Sequence, residues 1–142
     1  PALAGEVRGA QEVVSRGVAS GFGGEAMVID DEDGVRDALV QLLESLEYRV
    51  TAFGRARDAV DRFAERSGAF DLVVLDLVLP DMSGRETLAA LREIDPEVRV
   101  LLVAGYTADE EVVGLVRTDN VDFLEKPFQL ADLAESLTRL CD

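Results

Sequence analysis

Leu72-Val73-Val74-Leu75-Asp76 is the stretch that decides the fold. An apolar run without polar alternation describes a strand covered on both faces, as in a parallel sheet packed between helices. Asp76 closes that run with a carboxylate. A second such run, Met27-Val28-Ile29, closes on Asp30-Asp31. Charge at the ends of buried strands is heavily penalised unless something cationic joins it. Acidic groups converging at the carboxyl edge of a parallel sheet form a site for a hard divalent cation such as Mg2+. Lys126-Pro127, after a further strand-like run, adds a positive charge opposite them. Metal and lysine around one carboxylate are equipment for holding a phosphoryl group.

Outward from these runs the pattern alternates regularly from Glu25 onward. The first strand covers 26–29. Asp33 is placed to cap a helix whose apolar stripe is Val35, Leu39, Leu42, Leu43 and Leu46. A second strand follows over 48–53, then a helix over 56–67 with Ala59, Val60 and Phe63 inward and Gly68 placed to end it. The third strand covers 70–75, and Pro80 and Ser83-Gly84 mark a turn before a helix over 85–94. A fourth strand over 98–103, a weaker helix over 109–117, a fifth strand over 121–124 and a last helix over 129–140 complete the series. Five strands alternating with five helices, joined by right-handed crossovers, give an α/β fold with a doubly wound five-stranded parallel sheet. Residues 1–24 differ, with many small residues, some helical spacing (Val7, Ala10, Val14) and the run Gly21-Phe22-Gly23-Gly24. They read as a tail or linker, in part helical, ahead of one domain over 25–142; a docking or dimerisation helix is the alternative.

Composition narrows the chemistry. A formal charge of −15 argues against nucleic acid or an anionic membrane surface as a direct partner and suits a basic protein surface. The sequence contains no histidine, which excludes Ser/His/Asp catalysis and a typical zinc site. Cys141 is the sole cysteine and forms no internal disulfide, as expected in a reducing, cytoplasmic setting. No apolar stretch approaches the roughly 20 residues of a membrane-spanning helix, so no membrane insertion is expected.

Asp30, Asp31, Asp76, Ala104 and Lys126 all fall at the carboxyl ends of expected strands, where a doubly wound sheet binds its ligands. Here the chain resembles the receiver domain of two-component response regulators. The matching stretches are Met27-Val28-Ile29-Asp30-Asp31-Glu32, Leu75-Asp76-Leu77-Val78-Leu79-Pro80-Asp81-Met82-Ser83-Gly84 and Phe123-Leu124-Glu125-Lys126-Pro127-Phe128. The resemblance implies a flavodoxin-like (βα)5 receiver fold over about 25–140. It makes Asp76 the phosphoacceptor, whose carboxylate attacks a phosphoryl group to give an acyl phosphate. It assigns Mg2+ to Asp30, Asp31, Asp76 and the backbone carbonyl of Val78, and makes Lys126 the neutralising charge for the phosphoryl oxygens. Pro127, in this family usually after a cis bond, would aim the lysine. Phe123 matches the aromatic switch position, whose ring turns inward on phosphorylation. The implied activity is that of an acceptor that phosphorylates and slowly dephosphorylates itself, rather than a metabolic enzyme. The implied donor is a histidine kinase or a histidine phosphotransfer protein.

Taken singly, each motif has a plainer reading. Asp30-Asp31-Glu32 reads as an acidic turn capping a helix, Asp76 as a strand-end aspartate facing water, Lys126-Pro127 as a loop and Phe123 as core. Their joint occurrence in order favours the receiver. One position departs from the pattern: receivers usually end the fourth strand with Ser or Thr, whose hydroxyl donates to a phosphoryl oxygen, and here the residue is Ala104. Phosphorylation is then expected with weakened switching, and a phosphorylation-independent interaction module of the same fold is the alternative. In this family the fourth helix, fifth strand and fifth helix often mediate dimers or output contacts, and a homodimer is compatible with this chain. The sequence opens on Pro1 rather than Met and is expected to be a piece of a longer protein such as a hybrid histidine kinase, with a stand-alone regulator as the alternative.

Overall fold

The computed structural model describes residues 23–105 and 120–141. Within them, strands β1 (Gly24–Ile29), β2 (Tyr48–Phe53), β3 (Leu72–Asp76), β4 (Val100–Ala104) and β5 (Val121–Glu125) alternate with helices. These are α1 (Asp33–Ser45), α2 (Ala56–Glu65), α3 (Gly84–Ile94) and, after β5, α4 (Leu130–Cys141). The helix expected over 109–117 and nearly all of the tail over 1–24 lie outside the described residues. Among the described residues no helix is long and apolar enough to cross a membrane.

All strand pairs are parallel, and the sheet order is β2-β1-β3-β4-β5. The order reverses between β1 and β3, because the chain leaves β1 for one edge and fills the other from β3 onward. Loops leaving these two strands diverge to opposite faces and open a crevice over their carboxyl ends. Ile29 pairs with Leu75, so the next residues, Asp30 and Asp76, arrive at adjacent points on that rim.

Side chains alternate between the two faces along each strand. Met27, Ile29, Val73, Leu75, Val100 and Leu102 pack with Phe63 of α2 and Leu88 and Leu91 of α3. Ala26, Val28, Leu72, Val74, Leu101 and Val103 pack with Leu39 and Leu43 of α1 and Leu133 and Leu137 of α4. Burial on both faces is why β3 and β4 are buried at every residue and read as unbroken apolar runs. Each large apolar side chain buried this way contributes about 1.5–3 kcal/mol.

Several boundaries differ from the sequence expectation. Asp33 does not cap α1: Glu32 is the N-cap, without a side-chain capping bond, and Asp33 is already helical and pairs with Arg36. The helix expected to reach residue 67 ends at Glu65, and Gly68 takes a φ of +82° in the turn beyond. Phe70 lies outside the strand and stacks on Phe63 with ring centroids 5.8 Å apart.

The loop between β3 and α3 is anchored along its length. Arg55, the N-cap of α2, makes no side-chain capping bond. Asp81 caps that helix instead, its Oδ1 accepting from the Ala56 N–H at 3.0 Å and its Oδ2 from the Arg57 N–H at 2.9 Å. The Arg57 N–H, joined by that of Ala56, holds the Asp81 carboxyl below its ordinary range. A capping box opens α3, with Ser83 Oγ accepting from the Glu86 N–H at 3.0 Å and Glu86 Oε1 from the Ser83 N–H at 3.1 Å. Gly84 sits against the start of the loop, where a Cβ would lie 2.4 Å from Leu77 Cδ2 and 2.9 Å from Leu77 Cα.

Candidate functional site

Asp30, just beyond β1, is fully buried. Its N–H donates to the Phe53 carbonyl at 3.0 Å and its own carbonyl accepts from Arg36 Nη1 at 2.8 Å, so β2 and α1 both fix its backbone. Oδ1 accepts from the Glu32 N–H at 2.9 Å, a local turn that aims the carboxylate inward. Oδ2 is buried and has no hydrogen-bond partner among the described residues. Lys126 Nζ stands 3.7 Å from it, an ion-pair separation longer than a hydrogen bond. Burial, and after it the charge of Asp76, pushes the Asp30 carboxyl up to about 6, against the opposing pull of the Glu32 N–H and Lys126.

Asp76 ends β3 and is 4% exposed. Its Oδ1 accepts from the Val78 N–H at 3.0 Å and its Oδ2 from Lys126 Nζ at 3.4 Å. Lys126 follows β5, its N–H donating to the Ala104 carbonyl at 2.8 Å, and the Lys126–Pro127 bond is cis. Besides the two aspartates, its ammonium meets Glu32 Oε1 at 3.2 Å. Burial works against the charge on Lys126, but Asp76, Asp30 and Glu32 together outweigh it and raise its pKa above the ordinary lysine value.

Carboxylate oxygens of Asp30, Glu32 and Asp76 lie within 4.8 Å of one another. Donors that are all oxygen, one of them buried and unpartnered, fit a small hard divalent cation. Asp31 is exposed and stands outside this trio. Glu32 lies inside it, although the motif reading gave that residue no role. The signal was its spacing, since the turn at Asp30 brings a residue two positions on back to the same side. Val78 is 75% exposed and adjoins the site through its N–H. Ala104 is 8% exposed and ends β4 with a methyl group, which cannot donate a hydrogen bond. Phe123 is half-buried, opposite Leu102 in the sheet and packed on the α2–α3 face of the core. The arrangement can therefore bind a cation and present Asp76 to an incoming phosphoryl group beside an ammonium.

A sequence model of the response regulator receiver domain matches residues 26–138. The chain is 33% identical over 116 residues to the sensor kinase CckA of Brucella abortus, which covers 82% of this chain but only 12% of that protein. It is 30% identical over 114 residues to the response regulator receiver protein CpdR of the same organism, covering 80% of this chain and 93% of that one. The crystal structure of the receiver domain from the hybrid histidine kinase CckA superposes with a TM-score of 0.70 at 26% identity, over 84% of this chain and all of that one. Sheet order, acidic rim and lysine thus coincide with a match spanning most of the sequence, and the chain belongs to the response regulator receiver domain family of two-component signalling.

Proposed function

We propose that this chain accepts a phosphoryl group on Asp76 from a histidine kinase or a histidine phosphotransfer protein. The observation that carries the reading is the Asp76 carboxylate, 3.4 Å from the Lys126 ammonium and beside the buried, unpartnered oxygen of Asp30. In the transfer a carboxylate oxygen of Asp76 forms a bond to phosphorus. The nitrogen–phosphorus bond of the donor phosphohistidine breaks, and its electron pair leaves with the imidazole. Asp30, Asp76, the Val78 carbonyl and, once its exposed side chain turns in beside the Glu32 carboxylate, Asp31 would hold Mg2+, which when bound offsets phosphoryl charge and orients the oxygens. Lys126 neutralises the remaining phosphoryl charge. The 142 residues contain no histidine, which places the donor outside them, and the net charge of −15 suits a basic docking surface rather than nucleic acid. The same reading sets the domain in the cytoplasm, with a homodimer as a further arrangement.

Incubated with acetyl phosphate and Mg2+, the protein is expected to gain the mass of one phosphoryl group, released by hydroxylamine as an acyl phosphate is. No gain, even with the cognate kinase, would favour the phosphorylation-independent interaction module.

Ala104 refines the proposal. Its methyl cannot donate to the acyl phosphate, and a hydrogen bond to a charged acceptor is worth about 1.5–3 kcal/mol. A two-state switch with a gap of a few kcal/mol depends on such an increment. Phosphorylation is therefore expected to shift amide resonances around residues 30, 76 and 126 while leaving Phe123 and the segment after Ala104 little changed. Large shifts through both would show that coupling survives without the hydroxyl.

A further inference from the structure

We propose that Glu32 is a positioning residue that holds the Lys126 ammonium before phosphorylation and hands it to the phosphoryl group afterwards, while adding its charge to cation capture. The inference rests on Asp76 being the phosphoacceptor. Of the three carboxylates around Lys126 Nζ, Glu32 makes the shortest contact, 3.2 Å against 3.4 Å and 3.7 Å. It is also the exposed one: its side chain is 62% exposed, whereas those of Asp76 and Asp30 are 4% and 1% exposed. The two aspartates are further pinned by the backbone N–H groups of Val78 and Glu32. An exposed ion pair on a flexible stem is weakly held and readily exchanged.

An acyl phosphate on Asp76 brings new anionic oxygens to the place the ammonium already faces. Nζ keeps its three protons and changes acceptor, and no covalent bond is made or broken in the handover. Glu32 then turns to solvent without disturbing its backbone, whose N–H donates to Asp30 Oδ1 at 2.9 Å and whose carbonyl accepts from the Arg36 N–H at 2.8 Å. Towards a cation the same carboxylate acts in the opposite sense. It lies within 4.8 Å of Asp30 and Asp76, where Asp30 Oδ2 has no hydrogen-bond partner among the described residues. Glu32 therefore attracts the cation while competing with the phosphoryl group for Lys126.

The two effects separate in Glu32→Gln, which keeps the shape and removes the charge. Calorimetry on the unphosphorylated protein is expected to show Mg2+ bound about tenfold more weakly. At saturating Mg2+, mass gain from acetyl phosphate is expected to be about threefold faster. Glu32→Asp, which retains the charge on a shorter stem, is expected to keep most of the Mg2+ affinity and still accelerate uptake. Purely structural damage would slow uptake and weaken binding together. Unchanged Mg2+ affinity in Glu32→Gln, or uptake no faster than in the parent, overturns the role of Glu32 and leaves the acceptor reading intact. A parent protein that takes up no phosphoryl group defeats the acceptor reading itself.

Discussion

Asp76→Asn is expected to reduce phosphoryl uptake from one group per chain to none, with the fold intact. An amide has no anionic oxygen with which to attack phosphorus. The replacement is well tolerated on structural grounds. Its carbonyl oxygen can still accept from the Val78 N–H, which now donates to Asp76 Oδ1 at 3.0 Å. Its amide can donate towards the buried Asp30 Oδ2 that at present lacks a hydrogen-bond partner. Circular dichroism and melting temperature at or above those of the parent, together with an unmodified intact mass, make up the expected result. An adduct of undiminished yield would mean that phosphorylation occurs elsewhere.

Asp30→Asn is expected to stabilise the metal-free protein while weakening Mg2+ binding by about a hundredfold, since a buried anionic ligand is lost. Burial, and secondarily Asp76, sets the folded-state pKa of Asp30 at about 6 against a reference value of 3.8. The folded protein therefore binds more protons than the unfolded chain between those values, so stability falls as pH rises through this window. Below pH 3.8 the penalty is absent; above about pH 6 it is fully present. A shift of about two units corresponds to roughly 3 kcal/mol, and the Lys126 partner left behind trims the expected gain on substitution to about 2 kcal/mol. Urea unfolding without divalent cations at pH 7 and pH 4 tests this directly. The gain should appear at pH 7 and largely disappear at pH 4; an equal gain at both would place its origin in packing rather than charge.

The parts of this site visible in the sequence are those that strand register alone delivers. Unbroken apolar runs placed Asp30 and Asp76 at strand ends, and parallel pairing of Ile29 with Leu75 makes them neighbours whatever the loops do. Lys126 follows from the same rule at β5. Loop geometry is where the reading stopped. Asp31 and Glu32 are adjacent in sequence, and only the turn made by Asp30 Oδ1 with the Glu32 N–H decides which of them faces the lysine. Asp33 looked like a helix cap because its residue type favours that role, yet its carboxylate takes Arg36 instead. The Asp81 cap on α2 crosses more than twenty residues of chain and leaves no local pattern.

That cap also constrains how the protein can change over evolution. Because Asp81 must reach the first turn of a neighbouring helix while Gly84 presses against Leu77, the segment between them behaves as a ruler rather than a tether. A residue added or deleted between Leu77 and Gly84 would strain the Asp81 cap and the Gly84–Leu77 contact together, so the loop tolerates new side chains more readily than a new length.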